Sequence, residues 1–513
     1  MLTNLSLSRF KPFGSRQTVR LAPVTLIYGP NSAGKSSLIQ SILLLKQSLG
    51  GPVNQPNRNG PLNPSGPDFN FGSVQALIHR QRPGQAFSIG LGYQTTSDKP
   101  GSVIKPENSN QGKERLIESA TEINFRLSDN NDPNDHWIQD SAYRYKGEYG
   151  SNGSLVFRQR MGARPEGLSE ERRPSGIYSI SRNSIEFFQD LLIAEYQESQ
   201  IPMQDDDLEE TKTTITRALN RGTFADDSMG PNPPVRFDIA STALLSQRNR
   251  SSGLYLGRPI SFWSDFQNSV NRLLRERSVL FEEALSKVMH LGPLRSPEER
   301  GLRFQYADAG QDVGKDGANA SGVFSRTSAA KQRRINQWFK RLSLNYTIQV
   351  ENRSDITVGD LLHLTLKTRD NDPVIRTSTD VGFGFTQIMP IIVQGIVSEG
   401  KTICVEQPEI HLHPKLQAEL TDFLIDTSED SGNQWIVETH SELLIRRLQR
   451  RIKEGRLASE SVCVLYVDPV SSQSSRILEL RIDADGDFMD EWPSGFFDES
   501  FDEVAASFSL DFE

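Results

Sequence analysis

Eight residues near the start of the chain, Gly29, Pro30, Asn31, Ser32, Ala33, Gly34, Lys35 and Ser36, have the types and the spacing to cradle a polyphosphate. They fit the pattern G-x-x-x-x-G-K-[ST] at each fixed position. The glycines let backbone N–H groups turn inward around phosphate oxygens, and a helix beginning at the loop adds a partial positive charge. Lys35 is placed to reach the β- and γ-phosphates, and Ser36 to ligate Mg²⁺. Ser37 follows as the next residue of that helix. The flanks agree with the motif: Val24 to Tyr28 reads as a short buried strand, and Ser37 to Leu49 has helical apolar spacing. A chance glycine turn would not be expected to sit between such elements.

A second set of candidates lies close to residue 400. The apolar run Thr402 to Val405 leads into Glu406, Gln407, Pro408 and Glu409, with His411, His413 and Pro414 just beyond. A carboxylate at the end of an apolar strand is what a second Mg²⁺ contact and an ordered water require. A further apolar run, Trp435 to Val437, ends in Glu438, Thr439, His440 and Ser441. A histidine in that place can hydrogen-bond a γ-phosphate. His411 and His413 have the spacing of a metal pair, but beside Pro414 they read more simply as a helix start.

This order of motifs resembles ABC-type ATPases, in the branch that contains the chromosome-maintenance, RecF and overcoming-lysogenization-defect proteins. There the strand motif reads roughly D-E-P-E-x-x-L-H-P and the switch motif T-H-S. The resemblance covers about residues 1–95 and 285–500. Asp380 to Gln387, with Gly382, Gly384 and Thr386, resembles the signature loop that crosses to the other subunit's γ-phosphate in such dimers. Gly292 to Pro297, which includes Arg295, resembles a G-P-x-R segment of the same subgroup. Asp485, Gly486, Trp492, Gly495 and Phe497 resemble the C-terminal region of prokaryotic AAA-family ATPases carrying the domain of unknown function 3696. Those proteins are often found in anti-phage defence operons, and the Septu-type ATPase subunit is a relative. Gln75 is the one weak candidate for a glutamine loop.

The resemblance implies a fold, ligands and partners. The fold is α/β: an ABC-ATPase head of P-loop type with an antiparallel β lobe and a largely helical insertion. The ligands are ATP and Mg²⁺. The phosphates would be held by Gly29, Asn31, Ser32, Ala33, Gly34, Lys35, Ser36 and Ser37, with Gly382, Gly384 and Thr386 supplied by the second chain. The metal would be held by Ser36 and Glu406, and the catalytic positions are Gln407, Glu409 and His440. The expected partners are a second copy of the chain, a separate nuclease effector, and DNA or RNA. Two function classes stay open: a nucleotide-dependent sensor and scaffold in phage defence, and a RecF-like DNA-binding repair ATPase.

The sequence departs from the family pattern at one chemically important place. The usual metal-binding Asp is Glu406, and the usual catalytic Glu is Gln407. Glutamate can still hold Mg²⁺, but an amide cannot take a proton from an attacking water. General-base help of that kind is typically worth ~10²–10⁴-fold in rate. Three explanations compete: a naturally slow hydrolase that uses ATP mainly to assemble, Glu409 acting as the base, or an engineered Glu→Gln trap.

These residues must be positioned by a chain of 513 residues, long enough for several domains. The expected division is 1–175 for the N-terminal ATPase lobe, 176–285 for the helical insertion, 286–470 for the C-terminal ATPase lobe and 471–513 for the C-terminal segment. Within it, residues 85–93, 121–128 and 140–158 alternate as antiparallel strands do, and 94–116 and 222–236 read as loops. Residues 180–290 read as mostly helical. The Gly/Ala/Ser-rich stretch 308–325 reads as mobile. Helices are expected at 329–342, 384–398, 414–426 and 441–453, and strands at 345–351, 361–368, 402–406, 434–438 and 462–467.

Composition narrows the partners. No run approaches the ~18 apolar residues of a membrane span. The first residues lack a secretory core, and Cys404 and Cys463, the only cysteines, lie in apolar runs. The expectation is a cytoplasmic protein with buried thiols and no membrane contact. The net charge of -9 owes much to residues 483–513, which hold eleven Asp and Glu and no Lys or Arg. The rest of the chain has 57 basic against 55 acidic residues, so no global field favours nucleic acid. Two basic groups remain as candidates: Arg446, Arg447, Arg450, Arg451 and Lys453, and Arg326, Lys331, Arg333, Arg334, Lys340 and Arg341. Asp483 and Asp485 have the D-x-D spacing of a nuclease metal site, but beside Gly486 they read as a hairpin turn. Any destructive chemistry is expected from a partner.

Overall fold

The computed structural model describes residues 1–49, 61–97, 115–127, 136–146, 152–159, 177–180, 213, 216, 223–225, 236–238, 254–255, 258–295, 302–303, 311–355, 359–369, 372–376 and 381–493. The chain forms two compact units. One gathers Met1–Leu2, Val19–Gln40 and Lys287–Glu513, and the other Thr3–Thr18 and Ser41–Ser286.

In chain order the strands begin with β1 (Leu2–Ser8), β2 (Gln17–Arg20), β3 (Val24–Tyr28), β4 (Ala86–Ser97), β5 (Arg115–Leu127), β6 (His136–Lys146) and β7 (Asn152–Gln159). Next come β8 (Ile177–Ile180), β9 (Thr223–Ala225), β10 (Arg236–Asp238), β11 (Leu254–Tyr255), β12 (Arg258–Pro259), β13 (Val288–Leu291) and β14 (Leu302–Arg303). The last are β15 (Tyr346–Asp355), β16 (Gly359–Thr368), β17 (Ile375–Arg376), β18 (Thr402–Glu406), β19 (Gln434–Glu438), β20 (Val462–Ser471) and β21 (Ser474–Leu480). The helices are α1 (Lys35–Leu49), α2 (Ile260–Ser286), α3 (Ala320–Arg326), α4 (Ala329–Arg341), α5 (Phe383–Val397), α6 (Pro414–Ser431) and α7 (Glu442–Lys453).

The first unit is built on a six-stranded sheet ordered β13-β18-β19-β3-β20-β21. The first five strands run parallel, and β21 returns antiparallel on β20. Every residue of β3, β13, β18 and β19 is buried. That is the pattern of a sheet covered on both faces, and it explains why these strands read as continuous apolar runs and not as alternating ones. Helices α3 to α7 supply apolar residues to the same core, among them Phe339, Ile388, Ile392, Phe423 and Leu448. The apolar face of α7, Leu444, Ile445, Leu448 and Ile452, is buried, while its arginines form ion pairs. A separate sheet, ordered β14-β16-β15 with β17 on β16, also belongs to this unit.

The stretch expected to be mobile is packed where it is described. Residues 311–319 lead into α3, and Val313, Ala320, Val323 and Phe324 join the core. Small residues there serve close approach: a Cβ on Gly317 would lie 2.5 Å from the Pro390 ring. Its φ of +73° also suits glycine alone. The remaining part, 308–310, lies outside the described residues.

The second unit carries the antiparallel lobe, in which β1 and strands β4 to β10 pair in the order β10-β9-β8-β7-β6-β5-β4-β1. Phe87, Ile89, Leu91 and Tyr93 of β4 and Ile123 and Phe125 of β5 are buried, and Phe87 stacks between Phe10 and Phe125. Strand β4 runs on to Ser97 and β5 starts at Arg115, so the loop expected at 94–116 is shorter than the polar composition suggested. Strand β9 falls within the loop expected at 222–236. In the span expected to be helical, α2 is formed and β8 to β12 are strands; most of 181–253 lies outside the described residues.

Candidate nucleotide site

The phosphate loop joins β3 to α1, and its backbone has the bends that phosphate cradling needs. Gly29, Ser32 and Gly34 all have positive φ, +141°, +63° and +105°. At Gly29 glycine is obligatory for a second reason, because a Cβ would sit 2.4 Å from the Val467 carbonyl oxygen on β20. Ala33 N–H bonds to Pro30 O and Ser37 N–H to Gly34 O, which closes the loop onto the helix. Ala33 O is in turn held by the Ser475 hydroxyl at 2.7 Å. The Lys35 ammonium is buried and donates to the carbonyls of Gly29 and Pro30, each at 2.9 Å. Burial lowers its pKa, and the carboxylates of Glu438 and Glu409 pull it back up. Ser36 donates its hydroxyl to Glu438. Asn31 and Ser32 lie exposed at the loop's tip.

Two carboxylates, Glu438 and Glu409, act on that lysine, and Glu406 lies beside Glu438. Glu406 closes β18 and Glu438 closes β19, and the parallel register sets them side by side. Glu406 Oε1 accepts a hydrogen bond at 2.7 Å from His290 Nε2 on β13, a histidine that is itself buried. Beyond β18 the chain turns sharply at Gln407, whose φ is +45° and whose N–H bonds to Glu438 O at 2.7 Å. A left-handed glutamine at this point is the kind of local strain that a well-determined site supports. The turn brings Glu409 back, and its Oε1 accepts the backbone N–H of His440 at 2.7 Å. Burial raises the pKa of both Glu409 and Glu438. The Oε2 atoms of both are buried without a hydrogen-bond partner. His440 follows β19, and its pKa is lowered by burial and by the Lys35 charge, which favours the neutral imidazole.

Arg295 ties the site to its surroundings. It is buried, and its Nη2 donates to Glu406 O at 2.9 Å. Burial pushes its pKa down to about 10, against the opposing pull of Glu409 and Glu406. Its backbone carbonyl accepts from Gln387 Nε2 at 2.7 Å, and Gln387 sits in the first turns of α5. The start of α5 is thereby fixed to the end of β18.

The signature candidates occupy that helix start. Gly382 is the N-cap of α5, with a φ of -59° and nothing within 4 Å of where a Cβ would be. Gly384 is different: a Cβ there would lie 2.8 Å from the His411 carbonyl oxygen of the same chain. Thr386 is buried in the helix. Asp380 lies outside the described residues. His413 is the N-cap of α6, its Nδ1 accepting from the Lys415 N–H, and His411 adopts φ +61° in the preceding turn. The pair thus serves the helix start. Among the described residues no group of three or more His, Cys, Asp and Glu could hold a metal ion by itself. Gln75 belongs to the other unit, where its amide donates to Gln81 O.

The remaining candidates are structural in this fold. Asp483 Oδ1 accepts the N–H groups of Asp485 and Asp487 at 2.9 Å each, and Gly486 has φ +83°. This is the expected turn. Trp492 packs edge-on against Tyr28, Tyr466 and Phe488, so the C-terminal segment covers the end of the nucleotide-loop strand. Gly495 and Phe497 lie outside the described residues. Cys404 and Cys463 are buried thiols that form no disulfide.

Sequence reasoning named Glu406, Gln407, Glu409 and His440 but passed over Glu438 and His290. The available signal for Glu438 was the repetition of one plan: two apolar runs, each ending in Glu, at Glu406 and Glu438. His290 had no such signal, because its role depends on β13 pairing with β18.

A parallel sheet with a phosphate loop at the end of one strand and acidic residues at the ends of the next two strands on one side has the plan of a P-loop nucleotide-binding protein. Three family matches sharpen the class. Residues 4–221 match an AAA domain, residues 319–445 an AAA ATPase domain, and residues 457–506 the protein of unknown function DUF3696. Along these stretches the chain is similar to AAA-type ATPases and, at its C-terminal side, to DUF3696 proteins, and likeness to AAA ATPases implies ATP use. No curated protein matches it. Among solved structures it is similar to an Smc head bound to the C-winged helix domain of ScpA, at 13% identity and TM-score 0.40, covering 94% of this chain and 98% of that one. It is similar too to the SMC head domain from Thermotoga maritima, at 12% identity and TM-score 0.33, covering 94% and 99%. A third is the Smc head domain with an extended coiled coil from Pyrococcus furiosus, at 15% identity and TM-score 0.37, covering 94% and 96%. These are distant likenesses. Among the described residues no helix is long and apolar enough to cross a membrane.

Proposed function

We propose that this chain is a nucleotide-dependent sensor and scaffold that binds MgATP, hydrolyses it slowly, and controls a separate effector, a nuclease, in prokaryotic anti-phage defence. The observation that carries the reading is the pairing of a complete phosphate loop with Gln407 at the place of the usual base. Such a site favours holding ATP over consuming it. The defence setting is proposed from the sequence resemblance to DUF3696-carrying ATPases such as Septu-type subunits, and residues 457–506 match DUF3696. Phage plating tests it, using cells that carry this gene with its neighbouring gene. Protection is expected with the wild type and not with Lys35→Ala. Equal plaque counts for wild type, Lys35→Ala and empty cells would overturn the defence role.

The alternative, a RecF-like DNA-binding repair ATPase, draws less support. Seven of the eleven basic residues that suggested it form ion pairs within the chain. Arg451 and Arg447 pair with Asp422, Arg446 with Glu442 and Arg450 with Glu454. In the other group Lys331 pairs with Glu399, Arg334 with Asp430 and Arg341 with Asp426, and Arg341 also stacks on Trp338. The exposed pairs among these are worth little to stability, whereas those on Asp422 are largely buried, and all of them leave fewer cations for phosphate.

Assembly should follow an ATP-sandwich plan, with the α5 start of one copy on the γ-phosphate of the other. Gly382 is the position to perturb, because a side chain there meets nothing within its own chain, whereas Gly384 would clash with His411. Gly382→Asp should fold normally, since Asp is a good N-cap, yet place a negative charge against the partner's phosphate. Neither Gly382→Asp nor Lys35→Ala alone should close with ATP. A mixture of the two should regain one intact composite site per mixed dimer, read by ATP-dependent cross-linking. Absence of recovery in co-assembled, folded chains would refute the sandwich.

A further inference from the structure

We infer that Glu438 is a ligand of the Mg²⁺ that accompanies the nucleotide, so that this site takes its metal carboxylate from the switch strand β19 as well as from β18. The inference rests on the reading of the chain as an ATP-binding protein, and the experiment below separates the two.

Strand order places Glu438 well. Strand β19 lies between β18 and β3, so its end is the strand end beside the phosphate loop, while Glu406 is one strand further away. Glu438 is 4% exposed and holds the Ser36 hydroxyl, the side chain that the loop offers to Mg²⁺. Its Oε2 is buried with no hydrogen-bond partner. A buried carboxylate oxygen left without a partner is costly, and the protein retains this one beside a loop built for phosphate. Glu406, by contrast, has Oε1 committed to His290. The Ser36 hydroxyl and the two carboxylates form a set of hard oxygen donors, which suits Mg²⁺, an ion that keeps several waters and takes only one or two carboxylates.

The same geometry has a second consequence. Without a cation, Glu438 sets a negative charge against incoming phosphates and competes for Lys35, on which it already acts. With a cation it becomes attractive. Glu438 thus makes tight ATP binding conditional on Mg²⁺.

Titration calorimetry with ATP, in Mg²⁺ and in excess chelator, tests this with Glu438→Gln. The amide can still accept the Ser36 hydroxyl, so a merely structural role would leave the Mg²⁺ dependence untouched. The expected result is unchanged or tighter binding in chelator, together with a loss of roughly tenfold or more in the affinity gained from Mg²⁺. Glu438→Asp, which keeps the charge on a shorter arm, should restore part of that gain. The spin-resonance spectrum of Mn²⁺ bound with ATP should also differ between wild type and Glu438→Asp. It supplies the readout if the Gln variant does not fold. A wild type with no affinity for MgATP would remove the ATP reading itself. A wild type that gains from Mg²⁺, beside a Glu438→Gln chain that gains equally or an Asp chain with an unaltered Mn²⁺ spectrum, would overturn the assignment of Glu438 alone.

Discussion

Lys35→Ala loses ATP: affinity is expected to fall by roughly thirtyfold to a few thousandfold, the equivalent of about 2–5 kcal/mol for a buried charge partner removed from a charge pair. The structure accounts for the size. Lys35 is buried at the start of α1, its ammonium donating to the Gly29 and Pro30 carbonyls. Those two bonds orient the ammonium over the loop, where phosphate oxygens would be gathered. The carboxylates of Glu438 and Glu409 act on it, and Glu409 and Glu406 act on the buried Arg295. Removing Lys35 leaves the phosphates facing that negative surface with less to offset it. Calorimetry with ATP and Mg²⁺ measures the loss, and thermal melting without nucleotide checks that the variant is folded. Equal affinity in wild type and variant would show that the loop does not bind ATP.

The parts of this site that follow from local pattern were legible in the sequence. Strands β18 and β19 fall on the expected residues, 402–406 and 434–438, because buried parallel strands are short apolar runs with sharp polar ends. Helix α6 starts at Pro414 as expected but runs on to Ser431, where Gly432 at φ +63° closes it. What depends on pairing between distant strands was not legible. The contact of His290 with Glu406 spans 116 residues, and it exists only because β13 joins the sheet beside β18. Arg295 reads as one residue of a G-P-x-R segment, and only packing shows it buried against β18 and α5. The small residues of 311–319 misled for a related reason. Gly and Ala suggest mobility when taken alone, yet they also permit backbone to approach Pro390 closely, and the choice between those outcomes is made by the neighbours. The arginines of α7 leave a solvated face and a nucleic-acid face both open in the sequence, and the carboxylates of α6 that pair with them, Glu419 and Asp422, appear only on folding.

Turnover is where the second large effect is expected. Gln407 stands at the position that ordinarily carries the base, and its amide cannot accept a proton. Wild-type hydrolysis should therefore be slow, and Gln407→Glu should accelerate it, up to the ~10²–10⁴-fold that a positioned base supplies. Glu409 is the remaining carboxylate with the right features. Its Oε1 is anchored by the His440 N–H, its Oε2 is buried and without a partner, and burial holds its pKa above the usual carboxylate value, toward that of a useful base. Residual hydrolysis in the wild type is expected to pass through it, so Glu409→Gln should remove most of the activity that Gln407 leaves. Binding should distinguish this from damage, because the isosteric amide still accepts the His440 N–H and MgATP affinity should stay within a few-fold. Single-turnover phosphate release, measured beside calorimetry, reads both quantities. A wild-type rate of tens per second that Glu409→Gln leaves intact would contradict both assignments. A Gln407→Glu chain that binds MgATP normally but turns over no faster would show that strain at the left-handed Gln407 holds position 407 away from the attacking water.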